Sequence, residues 1–551
     1  MRYALAWVSA LVAAMLGSAS LLTTLIPAGT VESAALLDWE LDYRDVPASF
    51  VGVSLSAANR GSGLMLPPDP GQPSGATHPN AYTGAAVLRA SILRFPDDIS
   101  QSYHWNSVSA ATTVDTDRIA LLRSQSDIPN LMFTVNMMDG ASDEAQNWVA
   151  YTNGPTGDQF GQQRESKGHP EPYNVRYWML GEDITSRPDR YPTPLSYLEA
   201  ALANASAMKD VPQSLDLEVG LWIAPGDTEE EREWNAKLMG AMNERDPGQN
   251  GNPAGRLIDY LAVAVSVDVP DRPVTDATLF SSLYGYAADR ARSVLEQAER
   301  TNQLLGDPLP LAVYRYELRF DSEGWNQDKG DSMGATVAVT GMLNEFMRHD
   351  NIFTAIYRGL NTDSYSAVLK VSSRYSLPFQ EQFGLNPIGE VLASFGQYLA
   401  GRSIPVDYTG VGATLNDAAR AYYHAPALGR IGPQERVPLV SVSACYDTSG
   451  GEMVMWVASR ALNDRIVVHF TINGTGDYRL GPVMEDGTLR AVVQRVWGPT
   501  LASDRYTGYD RVVSTGTESH LAFDPTTPGH YEFDLTLEPH SVSTIVFTVS
   551  K

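Results

Sequence analysis

The segment Val175-Arg176-Tyr177-Trp178-Met179-Leu180-Gly181 is short, apolar apart from Arg176, and followed at once by two acids, Glu182 and Asp183. A strand with one wet face alternates apolar and polar residues; a run that is apolar almost throughout has both faces covered. Seven more such runs follow the same rule: Phe50–Leu55, Ser91–Phe95, Leu131–Asn136, Leu217–Ile223, Ile258–Val265, Leu311–Leu318 and Ile352–Tyr357. Between them, amphipathic spacing predicts helices over Asp143–Tyr151, Pro194–Met208, Glu229–Met242, Ala287–Leu305 and Ser332–Arg348. Doubly buried strands, mostly separated by a helix or long loop, predict an α/β fold: a parallel (β/α)8 TIM barrel over residues 50–402.

Beyond that segment the texture changes in both directions. From Ser403 to Lys551 the runs Val437–Cys445, Glu452–Ala458, Ile466–Ile472, Ala491–Val496 and Val542–Val549 are short, separated by Gly, Asn and Asp, with little helix between them. That pattern predicts a C-terminal β-sandwich over residues 403–551. Upstream, Leu37–Tyr43 alternates like a strand, so residues 36–49 are expected to add an N-terminal strand to that sandwich. Residues 1–35 begin Met1-Arg2, run apolar to Leu16, pass the small residues Gly17–Ser20 and turn apolar again to Ile26. This reads as a signal peptide, with an uncleaved N-terminal anchor as the competing reading and Ser33–Ala35 as a second cleavage region. Either way the body is expected to be secreted or extracytoplasmic, touching a membrane only through an uncleaved leader.

The chain of 551 residues carries 65 acidic against 40 basic residues, a net charge of −25. Polyanions seek basic surfaces, so nucleic acid is excluded as the main partner. The single cysteine, Cys445, excludes an internal disulfide framework and Cys-based metal sites. No His, Asp or Glu cluster has metal-ligand spacing either, so neither a metal nor another cofactor is expected.

Several segments resemble clan A glycoside hydrolases, and most closely the family 51 α-L-arabinofuranosidases. The carriers are Val135-Asn136-Met137-Met138-Asp139-Gly140 with Trp148–Asn153, the run Gly168–Gly181, Arg94-Phe95-Pro96 with Tyr103-His104-Trp105, and the closing run Ser541–Phe547. The resemblance implies a barrel with a sandwich, a glycan partner, and retaining cleavage by two carboxyl groups about 5–5.5 Å apart at the ends of the fourth and seventh strands. It places the acid/base at Asp183, in Gly181-Glu182-Asp183 where the family has Gly-Asn-Glu, and the nucleophile position at Arg315, in Tyr314-Arg315-Tyr316-Glu317 where the family has Asp-Glu-Trp-Asn. The family's Gly-Gly-Asn becomes Asp97-Asp98-Ile99, and its sixth-strand His corresponds to Ala264.

Chemistry divides these positions. A guanidinium has no usable lone pair and stays protonated, so Arg315 cannot attack an anomeric carbon. Beside Asp183 it would favour the ionised carboxylate, whereas a general acid must hold a proton. Glu317 shares Arg315's face but sits about 6.6–6.8 Å further along the strand. Two readings stay open. One is an arabinofuranosidase-like protein with a degenerate catalytic site, a possible pseudoenzyme that binds glycan or serves structurally. The other is an active glycoside hydrolase using Asp183 as acid/base and Glu317 as displaced nucleophile or base. In either, Glu182, Arg315, Tyr316, Asp97, Asp98, Trp105 and Trp222 are the expected substrate contacts.

Overall fold

The computed structural model describes residues 30–39, 44–57, 81–97, 99–107, 114–141, 143–212, 216–247, 255–321, 323–360, 366–371, 382–407, 422–447, 449–474, 479–484, 488–503, 513–522 and 529–550. After an N-terminal strand β1 (Thr30–Asp38), eight strands close a parallel barrel in sequence order. They are β2 (Val51–Ser54), β3 (Ile92–Phe95), β4 (Asn130–Val135), β5 (Tyr177–Leu180), β6 (Glu218–Trp222), β7 (Tyr260–Asp268), β8 (Leu311–Arg319) and β9 (Ile352–Arg358). Each of the eight expected runs overlaps one of them, β4 starting one residue earlier and β7, β8 and β9 ending one to three residues later than expected. The barrel thus follows from strand burial: β2, β3 and β5 are buried at every position.

The helices are α1 (Ala81–Val87), α2 (Thr116–Gln125), α3 (Glu144–Asn153), α4 (Gln159–Ser166), α5 (Pro194–Lys209), α6 (Glu229–Arg245), α7 (Asp276–Asn302), α8 (Met333–Phe346) and α9 (Pro387–Tyr398). Their starts are chemically marked. Thr193 and Ser196 form a reciprocal capping box on α5; Thr228, Thr275 and Ser332 cap α6, α7 and α8 through the backbone N–H three residues on. Helix α7 begins eleven residues before the expected Ala287. Its first half, from Leu279 to Ala288, is buried almost throughout, so it shows no wet stripe to reveal its period. Helix α8 is buried at all fourteen positions, being covered on opposite sides by the barrel and the sandwich.

The sandwich comprises two sheets. One orders Val406–Asp407, β1, Arg465–Asn473 and His530–Leu537; the other orders Arg402–Ile404, Val440–Asp447, Glu452–Ser459, Val542–Ser550, Thr488–Trp497 and Val513–Ala522, with Arg479–Gly481 beside Val542–Ser550. Strand β1 runs parallel to Arg465–Asn473 from Thr30↔Arg465 to Asp38↔Asn473. It therefore lies earlier than the Leu37–Tyr43 expected from alternation, whose residues 40–43 fall outside the described ones. It also uses Thr30–Ala35, part of the stretch read as leader, and cleavage at Ser33–Ala35 would remove half of it. Among the described residues no helix is long and apolar enough to cross a membrane.

Candidate functional site: the barrel mouth

Active sites of such barrels lie at the C-terminal strand ends. Four acids and three arginines meet there. Arg94, near the end of β3, is fully buried, and its guanidinium is bonded at all three nitrogens: Nη1 to Asp97 Oδ1 at 2.7 Å, Nη2 to Glu182, Nε to Thr134 Oγ1 at 3.2 Å. Arg358, the last residue of β9, joins Asp97 Oδ2 at 2.8 Å to both oxygens of Glu317 at 3.2 and 3.1 Å. Arg315 Nη2 meets both oxygens of Asp183 at 3.3 Å, and its Nε lies 3.7 Å from Glu317. The result is an alternating string: Glu182, Arg94, Asp97, Arg358, Glu317, Arg315, Asp183.

Local backbone explains the placement. Gly181 has φ +74, and a Cβ there would lie 2.6 Å from Ile184 Cδ1. Asp183 follows at φ +46, also left-handed. That turn replaces strand alternation after Leu180, so Glu182 and Asp183 both turn toward the mouth, each onto its own guanidinium. On β8, pairing steps from Val263↔Val313 to Ala264↔Arg315, leaving Tyr314 as an extra residue in a bulge. Arg315 and Glu317 therefore share the inward face. The Tyr314 ring lies under Arg94 at 4.9 Å and Arg315 at 5.6 Å.

The electrostatics are those of a closed salt network. Burial pushes the Asp97 carboxyl up, but Arg358, Arg94 and Arg315 override it and hold it below 3.8. For Glu182 burial prevails over the attraction of Arg94 and Arg315 and lifts the carboxyl above 4.5. Burial opposes the charge on Arg315, yet Tyr314, Glu182, Asp183 and Glu317 together keep it firmly protonated. Glu317 is wholly buried, and Ser266 Oγ donates to it as well at 3.0 Å.

The expected site residues divide. Asp97, Glu182, Asp183, Arg315 and Glu317 are brought together; Asp98 lies outside the described residues. Tyr316 is corrected: the bulge turns it outward, where its ring packs edge-on against Phe346 of α8 at 5.2 Å and against Tyr357. Trp222 is corrected too, being 1% exposed at the end of β6 and unable to offer a ring face to a ligand. Trp105 is 5% exposed; its indole N–H donates to Glu144 O at 3.1 Å and its ring packs on Tyr151 and Phe160, so it braces a loop rather than contacting substrate. Three participants escaped sequence reading: Arg94, Arg358 and Tyr314. The available signal was an arginine inside or at the end of a buried strand, which demands an acid partner. A fourth is Trp325, 71% exposed in the loop after β8. Its backbone N–H donates to Asp271 Oδ1 at 2.6 Å, and neighbouring Asn326 bonds the carbonyls of Pro270 and Arg272. Among the described residues no group of three or more His, Cys, Asp or Glu is placed to hold a metal ion.

The fold is a closed eight-stranded parallel barrel with a companion sandwich, and its likeness, in sequence over part of the chain and in fold over nearly all of it, is to α-L-arabinofuranosidases. Residues 105–237 match the α-L-arabinofuranosidase 1 domain model. α-L-Arabinofuranosidase C of Emericella nidulans is 36% identical over 84 residues, covering 15% of this chain and 17% of that protein. The probable α-L-arabinofuranosidase C of Aspergillus niger is 43% identical over 51 residues, 9% of this chain and 10% of that one. The chain thus matches under a fifth of the length of these curated relatives. The structural likeness is wider. The α-L-arabinofuranosidase of Thermotoga maritima superposes with a TM-score of 0.70 at 16% identity, over 94% of this chain and 99% of that one. The GH51 arabinofuranosidase of Xanthomonas axonopodis pv. citri gives 0.71 at 12% identity, over 94% and 100%. At such identities the likeness shows the fold.

Proposed function

We propose that this chain is an extracytoplasmic glycan-binding protein built on an arabinofuranosidase-like scaffold, with a barrel mouth that does not perform retaining hydrolysis. One observation carries the reading: Arg315 lies between Asp183 and Glu317 as their shared counter-ion. Retaining cleavage needs one carboxyl that holds a proton near working pH and another free to approach the anomeric carbon. The first is paired with a cation. The second is wholly buried under Arg358, Arg315 and Ser266, with its oxygens already engaged. The same contacts weigh against inversion, because a general base must reach a water and Glu317 faces cations instead.

Trp325 supports a carbohydrate partner. Indole faces pack well on the C–H faces of sugar rings, and this ring stands exposed on the C-terminal side of the barrel. Its backbone is clamped to the loop after β7, so little motion remains to be frozen on binding. The relatives' names, arabinofuranosidases, suggest furanoside-bearing glycans as the first ligands to try. The apolar Met1–Ile26 stretch supports export.

The test is twofold. Purified protein is assayed on aryl arabinofuranosides and on arabinan and arabinoxylan oligosaccharides, beside D183N and E317Q; the expected outcome is no turnover in any form. Titration calorimetry with the same oligosaccharides is expected to show binding that weakens at least fivefold in W325A. Turnover lost in both D183N and E317Q would establish the hydrolytic alternative.

A further inference from the structure

Most of the ion-pair string at the barrel mouth is sealed. The carboxyls of Asp97, Glu182 and Glu317 are buried, and all three nitrogens of Arg94 are engaged. The end formed by Asp183 is open: that side chain is 45% exposed. Arg315, its counter-ion, is only 8% exposed, and its three nitrogens differ. Nη2 meets both Asp183 oxygens at 3.3 Å, while Nε is shut in 3.7 Å from Glu317. Nη1 has no hydrogen-bond partner among the described residues, yet unlike Nε it is not enclosed. A buried guanidinium thus keeps one N–H group open to solvent, next to the nitrogen that carries a half-open carboxylate.

Both groups are set before anything binds. The Tyr314 ring lies 5.6 Å from the Arg315 guanidinium carbon, Glu317 faces Nε, and the left-handed turn at Asp183 fixes where the carboxylate leaves the backbone. Little freedom is lost when a ligand arrives, which favours affinity. The pair offers a donor and an acceptor side by side. A sugar hydroxyl is both: it accepts from Nη1, and it or its neighbour on the ring donates to Asp183. An ionised carboxylate only accepts. It would gain Nη1 and at the same time meet the Asp183 oxygens, like charge against like charge, in a string where acids already outnumber arginines by four to three.

We propose that Arg315 and Asp183 select the ligand of the mouth: Nη1 and the open carboxylate together hold adjacent hydroxyls of a neutral sugar, and the Asp183 charge turns uronic acids away. This specificity rests on the reading of the mouth as a glycan site and adds which residues grip the sugar and which sugars they refuse. Arg315 then does more than neutralise two acids, since a purely structural counter-ion would leave sugar preference unmoved by Asp183.

The experiment is titration calorimetry of the full chain with arabinan oligosaccharides and with oligogalacturonates of the same length, beside D183N and R315K. The native chain is expected to bind the neutral series about tenfold or more tightly than the acidic one. D183N removes the repelling charge and leaves Arg315 in place; it should narrow that gap to about threefold or less, through a gain by the acidic series and a loss by the neutral one. R315K keeps a charge at this position and loses the forked N–H groups, and should weaken the neutral series about fivefold or more. D183N, a change at a half-open side chain, keeps the test valid if R315K loosens the network. Neutral binding unchanged in both variants would overturn the proposal while leaving a glycan site elsewhere on the mouth, and so would equal affinity of the native chain for the two series. No binding of either series would remove the glycan reading and the proposal with it.

Discussion

Arg315 is the residue on which the barrel mouth turns. Removing Arg315 leaves one acid, Asp183, half open to water and the other, Glu317, still held by Arg358 and Ser266, which sets the cost at about 1–3 kcal/mol. Arg315→Met should therefore lower the free energy of unfolding by about that amount, read from urea melts, chiefly through wholly buried Glu317. A change under about 1 kcal/mol would mean the network is hydrated and loose. Asp97 gives the acid dependence. Its folded carboxyl is held below 3.8 by the arginines, so the unfolded chain takes up the proton first as pH falls. Its stabilising contribution is complete above that value and disappears as pH falls through the folded pKa. Urea melts between pH 2.5 and 5 should show this acid limb in the native chain and a shallower one in D97N.

The elements show what could be read from residue order and what could not. The eight barrel strands were legible because burial on both faces leaves an apolar run that needs no partner to be recognised. The start of α7 was not, since the same burial on all sides erases the helical period. The bulge in β8 was equally hidden: nothing in Val313-Tyr314-Arg315 announces that Tyr314 is left over in the pairing with β7, and that single step decides that Tyr316 faces α8. Position along the chain told which residues were near the mouth, and the bulge told which faced it. In the sandwich, His469 on the strand Arg465–Asn473 bonds Asp534 across the sheet, and this hydrogen bond raises the imidazole pKa above 6.5 despite partial burial. A raised base stabilises most at low pH: the contribution is full below the unfolded value and lost as pH rises through the folded one. H469Q should thus flatten the change in stability above pH 6.5 without altering the barrel's near-ultraviolet dichroism.

At the scale of the molecule, the barrel and sandwich share a core. Along Glu452–Ser459, Val454, Trp456 and Ala458 join the barrel's cluster, while Met453, Met455 and Val457 join the cluster inside the sandwich. One strand thus serves two cores, which is why it is apolar at nearly every position. The join is specific. Trp456 stacks on Phe395 of α9 at 4.2 Å and donates its indole N–H to Ser394 Oγ at 3.1 Å; Asn344 of α8 bonds Ser441 and Ser443 of the facing strand. Cys445 lies in the same seam, its thiol 3.7 Å from Tyr398 O and pushed up to about 12 by burial. A thiol so placed does not form thiolate near neutrality, so it reacts only when the seam opens. With so much apolar surface shared, the two parts should unfold together rather than in turn. Urea melts followed by tryptophan fluorescence, far-ultraviolet dichroism and reaction of Cys445 with Ellman's reagent should therefore coincide. Trp456→Ala, which empties a large side chain from the seam, should cost about 3–5 kcal/mol and shift all three curves together. Should Cys445 react well before the dichroism is lost, the sandwich would be parting from an intact barrel, and the shared core would not be what couples them.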